Sequence, residues 1–212
     1  MPRFYRGFAF NEMKKIKVAI TGGIGSGKSS VSDYLVMKGY SVLRADLIAK
    51  ELMAQDAQIK KKLIEEFGEE SYSNDKLNTK YLAANAFSNE ENVQKINSIV
   101  HPPVMEKIDQ LAKEIFKNQD IVFIETALVY EANLEDFFDY VLLVLADEKT
   151  RIERIINREK VTEEQVRARM QYQIPDEEKK DDADFVLDNN TTLQELENRV
   201  EFLLILIRQL TA

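Results

Sequence analysis

The chain contains only seven glycines, at positions 7, 22, 23, 25, 27, 39 and 68, and four of them fall within six consecutive residues. The cluster reads Gly22-Gly23-Ile24-Gly25-Ser26-Gly27-Lys28-Ser29 and meets G-x-x-x-x-G-K-[ST] at every fixed position. Before it, Ile16, Val18 and Ile20 alternate around Lys17 and Ala19, the pattern of a short buried strand; after it, residues 30–36 carry helical spacing. Strand, glycine loop and helix follow in the order of a phosphate-binding loop. Glycines let successive backbone N–H groups turn inward toward an anion, and the helix N-terminus adds its positive dipole end. On this reading Gly23, Gly25, Ser26, Gly27, Ser29 and Ser30 surround the phosphates of ATP. The Lys28 ammonium reaches the β- and γ-phosphates, and the Ser29 hydroxyl is placed to ligate Mg²⁺. A ligand-free glycine turn before a helix is the plain alternative, and the completeness of the motif and its flanking order weigh against it.

Composition narrows the class. There are 29 basic against 37 acidic side chains, a net charge of −8, and no cysteine. Disulfides, thiolate metal sites and a cysteine nucleophile are thereby excluded, and a reducing cytoplasm is the expected compartment. A mean hydropathy of −0.35, with no apolar run near the roughly 20 residues that span a bilayer, argues against membrane insertion. The acidic balance disfavours a general nucleic-acid binder. Residues 1–13 are too short and interrupted for a secretory segment and read as an extension to the fold. Neither D-x-x-G nor N-K-x-D occurs, so a switch GTPase does not fit. Small-molecule kinases become the leading class.

Further along, Tyr40-Ser41-Val42-Leu43 predicts a strand that ends just before Asp46, which puts this carboxylate at the sheet edge where open α/β sheets bind ligands. Residues 47–117 are helical and charge-rich, too long for a simple crossover, and read as an inserted substrate domain. Within them Lys60-Lys61-Lys62 reads as a solvated helix face, and Ser88-Asn89-Glu90-Glu91 as a capping box. The sheet resumes with Asp120-Ile121-Val122-Phe123-Ile124-Glu125, a buried strand closing on an acid suited to orient Mg²⁺. Strands are also expected at 140–145 and 185–187, with Asp147 as N-cap of a helix over 149–157. A C-terminal helix follows Thr192, with Leu193, Leu196, Val200, Leu203, Leu204 and Ile207 on its core stripe.

Of ten arginines, five lie within 151–169. Arg151, Arg154 and Arg158 are spaced to share one helix face, and Thr162-Glu163-Glu164-Gln165 fits a capping box opening a second helix with Arg167 and Arg169. Two short helices armed with arginines resemble a lid that closes over ATP, excluding water and neutralising charge on the transferring phosphoryl group. Glutamates are interleaved among them, so each arginine could instead sit on a solvated, ion-paired face. We favour function for Arg154 and Arg158, and the solvated reading for Arg151 and Arg167.

Together these segments resemble the dephospho-coenzyme A kinase family from about residue 15 to the C-terminus. Thr21 to Ser29 is similar to its phosphate loop, Ala45-Asp46-Leu47-Ile48-Ala49-Lys50 to its D-A-D-x-I-A-R/H, and His101-Pro102 to its H-P dipeptide. Leu128-Val129-Tyr130-Glu131 resembles the end of P-L-L-F-E. Arg154 and Arg158, then Arg169 and Gln173, fit the lid pattern, and Ala183-Asp184 with Asn189 fits A-D-x-x-x-x-N. Three positions depart: Arg44 replaces the first Asp of D-A-D, Ala127 replaces the proline, and Glu125 stands where many members have Asp. The resemblance implies a three-layer α/β fold of the P-loop NTP hydrolase type, with about five parallel strands. Its core would be 14–46, 118–148 and 182–212, with the substrate domain at 47–117 and the lid at 149–181.

It also implies transfer of the ATP γ-phosphoryl group to the ribose 3′-hydroxyl of dephospho-CoA, with Mg²⁺ as cofactor. Asp46 would be the base, Lys28, Arg154 and Arg158 would stabilise charge, and Ser29 and Glu125 would serve the metal. Asn189 would lie near adenine, while His101, Glu131 and Arg169 would contact acceptor or lid. His101, the sole histidine, fits equally a polar residue fixing a turn at Pro102-Pro103. Two other functions stay open on sequence: a small P-loop kinase for a nucleoside monophosphate or shikimate-like alcohol, and a non-catalytic ATP-sensing module.

Overall fold

The computed structural model describes residues 14–86 and 88–211; the extension assigned to 1–13 lies outside the described residues. Five strands form a parallel sheet in the order β2-β5-β1-β6-β7: β1 Ile16–Thr21, β2 Ser41–Arg44, β5 Ile121–Glu125, β6 Tyr140–Leu145 and β7 Phe185–Asp188. Strand alternation divides the core into two layers. Ile16, Val18, Ile20, Ile121, Phe123, Leu142 and Val144 face helices α1 (Lys28–Met37) and α9 (Leu193–Gln209). Ala19, Val122, Ile124 and Val141 face α2 (Ala45–Gln55) and the C-terminal part of α5 (Glu90–Ile115). The three-layer parallel fold is therefore present, and the second half of the long insertion supplies one of its layers.

The rest of the insertion gathers on a satellite core of Ile59, Leu63, Phe67, Tyr72 and Leu82. It comprises α3 (Ala57–Phe67), α4 (Thr79–Ala86) and a small antiparallel pair, β3 (Tyr72–Ser73) and β4 (Lys76–Leu77). That hairpin is absent from the sequence reading, although Asn74 and Asp75 carry its signal: both adopt positive φ, 50° and 60°, as a two-residue primed turn demands. After β6 come α6 (Glu148–Glu159), α7 (Glu163–Met170) and α8 (Asp176–Lys180). Ile152, Ile155 and Val166 form a separate cluster that also packs Ile24 of the glycine loop, so the arginine-bearing helices rest on that loop.

Three local expectations are corrected and one, the N-cap at Asp147, holds in position only. Asn89, not Ser88, caps α5 by accepting the Asn92 N–H at 2.8 Å, because Ser88 Oγ turns back to the Asn85 carbonyl at 2.6 Å. Asp147 occupies the N-cap position of α6 without a side-chain capping bond, since its carboxylate receives Asn190 Nδ2 instead. Leu193 opens α9 but is 60 % exposed, one turn before the stripe reaches the sheet. His101-Pro102-Pro103 makes no turn; all three residues lie inside α5. Proline there removes two helical donors and leaves the carbonyls of Ser98 and Ile99 without them. Packing of Val100, Val104, Ile108 and Ala112 on the sheet side carries the helix through the interruption. No helix among the described residues is long and apolar enough to cross a membrane.

Candidate active site

Register assembles the site before any side chain is considered. Ile20 of β1 and Arg44 of β2 both stand opposite Glu125 of β5, while Leu145 of β6 stands opposite Asp188 of β7. The C-terminal ends of the five strands thus bring Arg44, Glu125, Asn189 and the glycine loop to one edge. The chain leaves central β1 toward β2 on one side and β6 joins on the other, so the loop opens at the point where a parallel sheet offers a crevice.

The loop is held from behind. Asn189, 5 % exposed, accepts nothing from the cleft: its N–H bonds the Leu145 carbonyl at 2.7 Å and its Nδ2 bonds the Ser26 carbonyl at 2.7 Å. Arg154 donates to the Asn189 carbonyl at 2.8 Å and to that of Ser26 at 3.4 Å. Gly27 is required here twice over: its φ is 105°, and a Cβ would lie 2.1 Å from Asn189 Nδ2. Lys28 Nζ donates to the carbonyls of Gly22 at 2.7 Å and Gly23 at 3.2 Å. Burial pushes its ammonium down to about 8, against the opposing pull of Glu125, Asp46 and Asp176.

At the mouth, Ser29 Oγ donates to Glu125 Oε1 at 2.9 Å. Glu125 Oε2 is buried without a hydrogen bond, and Arg44 Nε stands 3.3 Å from it as a charge contact; Arg44 also pairs with Asp33. No cluster of three or more His, Asp or Glu suited to a metal occurs among the described residues. An oxygen pair with one unsatisfied carboxylate oxygen is nevertheless the donor set Mg²⁺ takes when phosphates and water complete its shell. Asp46 lies in the first turn of α2, exposed on the wall of the same cleft.

That cleft has a volume of about 1410 Å³. One end is polar, with Lys28, Ser29, Ser30, Asp46, Glu125 and Arg154; the other runs between α2, α4 and α5 past Met53, Leu82, Val93, Ile96 and Val100. His101, Glu131, Arg158 and Arg169 line it as well. His101 lines the cleft, and burial lowers its pKa, favouring the neutral imidazole. Arg158 and Arg169 both sit on Glu159, each at 2.5 Å, and hold its carboxyl below the usual range. Arg167 is exposed and paired with Glu148 and Glu163, as a solvated face requires.

Arg151 is different from the expectation. Its side chain is 12 % exposed; Nε donates to the Ile24 carbonyl at 2.9 Å and NH1 to Asp176 at 2.6 Å. The guanidinium lies so close over Gly23 that a Cβ there would meet it at 2.2 Å. Sequence reasoning missed Asp176 and Lys179 altogether, because the run Asp176-Glu177-Glu178-Lys179-Lys180 looks like solvated charge; Lys179 is instead fully buried.

A sequence profile of the dephospho-CoA kinase family matches residues 16–195. The dephospho-CoA kinase of Salinibacter ruber is 40 % identical over 185 residues, 86 % of this chain and 92 % of that protein. Among solved structures, TT1252 from Thermus thermophilus superposes with a TM-score of 0.76 at 33 % identity, covering 91 % of this chain and 97 % of that one. The dephospho-CoA kinase of Campylobacter jejuni, at 24 % identity and a TM-score of 0.67 over 90 % of this chain and 96 % of that one, shares the fold. With the phosphate loop, the acidic strand end and the two-ended cleft in place, and with a profile match over most of its length, the chain belongs to the dephospho-CoA kinase family.

Proposed function

We propose that this kinase transfers the γ-phosphoryl group of ATP to the ribose 3′-hydroxyl of dephospho-CoA, giving coenzyme A and ADP. The observation that supports the reading is the asymmetry of the cleft: a charged end at the glycine loop continues into a mainly apolar channel between α2, α4 and α5, with Lys50, Gln94 and Asn97 among its lining. Such a shape suits an acceptor with an anionic nucleotide head and a long uncharged arm. A compact polar alcohol would leave the channel unfilled, which disfavours a shikimate-like acceptor. The volume exceeds that of a drug-sized site and accommodates two extended substrates.

In this mechanism the Lys28 ammonium and the loop N–H groups hold the β- and γ-phosphates, and Ser29 and Glu125 would hold Mg²⁺. The metal, when bound, would supply charge neutralisation at the phosphates. Asp46 orients the 3′-hydroxyl and takes its proton as the oxygen bonds to the γ-phosphorus and the bond to the β,γ-bridging oxygen breaks. Arg154, Arg158 and Arg169 offset charge on the transferring group, with the two outer arginines exchanging Glu159 for phosphate oxygens. Gly23, Gly25, Ser26, Gly27 and Ser30 shape the ATP cradle, and Asn189 contributes from behind by fixing Ser26. His101 and Glu131 take the acceptor side, and residues 47–117 and 149–181 act as substrate domain and lid.

The test is an acceptor screen. ATP turnover with dephospho-CoA, and product carrying one added phosphoryl group at the ribose 3′ position by mass spectrometry and NMR, is the expected result. Equal turnover with AMP, CMP or shikimate would reject this acceptor, and ATP binding without any turnover would point to a sensing module.

A further inference from the structure

A fully buried lysine that does not itself line the cleft needs an explanation. Lys179 Nζ donates to Glu131 Oε1 at 2.6 Å and lies 3.9 Å from Asp176 Oδ1; its side chain is 0 % exposed, against 11 % and 10 % for the two carboxylates. Asp176 Oδ1 accepts the Gly23 N–H at 3.1 Å and its Oδ2 the Arg151 guanidinium at 2.6 Å. Gln173 Oε1 accepts the neighbouring Ile24 N–H at 2.8 Å, and Arg151 Nε returns to the Ile24 carbonyl at 2.9 Å. Glu131 Oε1 also receives the Ile174 N–H at 3.2 Å. The Gly23 and Ile24 N–H groups, near the start of the glycine loop, are thus both held by side chains of the segment that follows the arginine helices.

We propose that residues 173–179 form a clamp that positions the phosphate loop, with Gln173 and Asp176 as its jaws and buried Lys179 as the anchor joining it to the acceptor-side loop at Glu131. Stability alone does not account for the arrangement, because apolar residues of similar volume usually replace a buried ion group without loss. What apolar residues cannot do is fix two peptide planes of a glycine-rich loop, whose backbone is otherwise free to rotate. Gly23 belongs to the same device, since its missing Cβ lets Arg151 lie against the loop. All three clamp side chains are positioning residues, acting on ATP through Gly23 and Ile24.

The clamp rests on the kinase reading, so the test measures ATP binding without acceptor. A non-hydrolysable ATP analogue with Mg²⁺ is titrated by calorimetry into the parent protein and into Gln173→Met, Asp176→Ala, Asp176→Asn and Lys179→Met, with steady-state kinetics alongside. Gln173→Met changes no charge, and Asp176→Asn keeps an oxygen for the Gly23 N–H. The expected result is Kd and KM for ATP raised about tenfold in Gln173→Met and Asp176→Ala, the equivalent of one lost hydrogen bond. Asp176→Asn recovers most of the affinity even though it loses the same ion pair and a similar share of thermal stability as the alanine variant. Folded Lys179→Met should follow Asp176→Ala; if it does not fold, Gln173→Met and the alanine-against-asparagine contrast decide. Affinities within twofold of the parent in both Gln173→Met and Asp176→Ala overturn the clamp. A parent protein that fails to bind the analogue overturns the kinase reading and the clamp with it.

Discussion

If Lys28 meets the phosphates as proposed, it should set a pH limit on ATP capture that separates kcat/KM from kcat. Its ammonium is lowered from 10.5 to about 8 by burial in the loop, with Lys179 adding to the effect and Glu125, Asp46 and Asp176 opposing it. Only the cationic form can meet the phosphates. The free enzyme is then about nine-tenths competent at pH 7 and about one-tenth at pH 9, so kcat/KM for ATP should fall roughly tenfold per unit above pH 8. Phosphate groups complete their own ionisation near pH 6 and contribute no limb in this range. Once ATP is bound, its charge raises Lys28 again, and kcat should hold well beyond the point where kcat/KM falls. The assay is coupled ADP release with saturating acceptor from pH 6.5 to 9.5, in the parent and in Lys28→Arg. Arginine stays charged throughout, so the variant should be slower yet lack the alkaline limb. A flat kcat/KM to pH 9.5 in the parent, or the same limb in Lys28→Arg, would refute the assignment. Stability has the matching sign. Between about pH 8 and 10.5 the unfolded chain holds a proton that the folded one lacks, so stability rises with pH through that window.

Three further outcomes follow from the same geometry. Lys28→Met removes a buried charge whose cost at pH 7 is at most about 3 kcal/mol, less the two hydrogen bonds to Gly22 and Gly23. The ligand-free variant should melt about 5 °C higher with turnover abolished; a lower melting point would contradict the buried ammonium. Asp46→Ala should keep ATP-analogue affinity within twofold and lose about 10²–10⁴ in kcat, since the exposed carboxylate contributes under about 1 kcal/mol to its helix end. Turnover at the parent rate would remove Asp46 from the role of base. Gly27→Ala adds a Cβ 2.1 Å from Asn189 Nδ2 at φ 105°, whereas Gly39→Ala, at φ 88°, meets nothing within 4 Å. Both should lose about 1–3 kcal/mol to backbone strain in chemical denaturation, and only Gly27→Ala should lose ATP binding.

What the sequence shows and what it hides divide along contact range. The phosphate loop is legible because its strand, glycines and helix are contiguous and each residue type answers a local demand. Glu125 is legible for a similar reason: an apolar run closing on an acid marks a strand end, and parallel register then fixes its neighbours. The clamp is hidden because Asp176 and Lys179 take their meaning from Gly23 and Glu131, 153 and 48 residues away. Arg151 misleads for the same reason, as its spacing to Arg154 and Arg158 predicts a common face while its partner Asp176 determines what it does. Asn189 fits the resemblance by position, but only the pairing of β6 with β7 shows it spending its amide on Ser26.

The same distinction explains how a chain of net charge −8 could take the two polyanions of the proposed reaction in one cleft. Three cations at or beside the cleft are already matched by acids of the chain: Arg158 and Arg169 by Glu159, Arg44 by Glu125 and Asp33. These pairs are partly exposed and therefore individually weak. Phosphate oxygens can displace such carboxylates at little cost, and a cation held near its working position loses less freedom on binding than an unpaired one. Arg154 stands apart because its partners are the carbonyls of Ser26 and Asn189 rather than acids, so its charge remains uncompensated beside the loop. Glu159, shared by Arg158 and Arg169, would hold both guanidinium groups in place until a stronger anion arrives. Glu159→Gln should accordingly weaken the order of both arginines while leaving Arg154 and its bonds to Ser26 and Asn189 untouched.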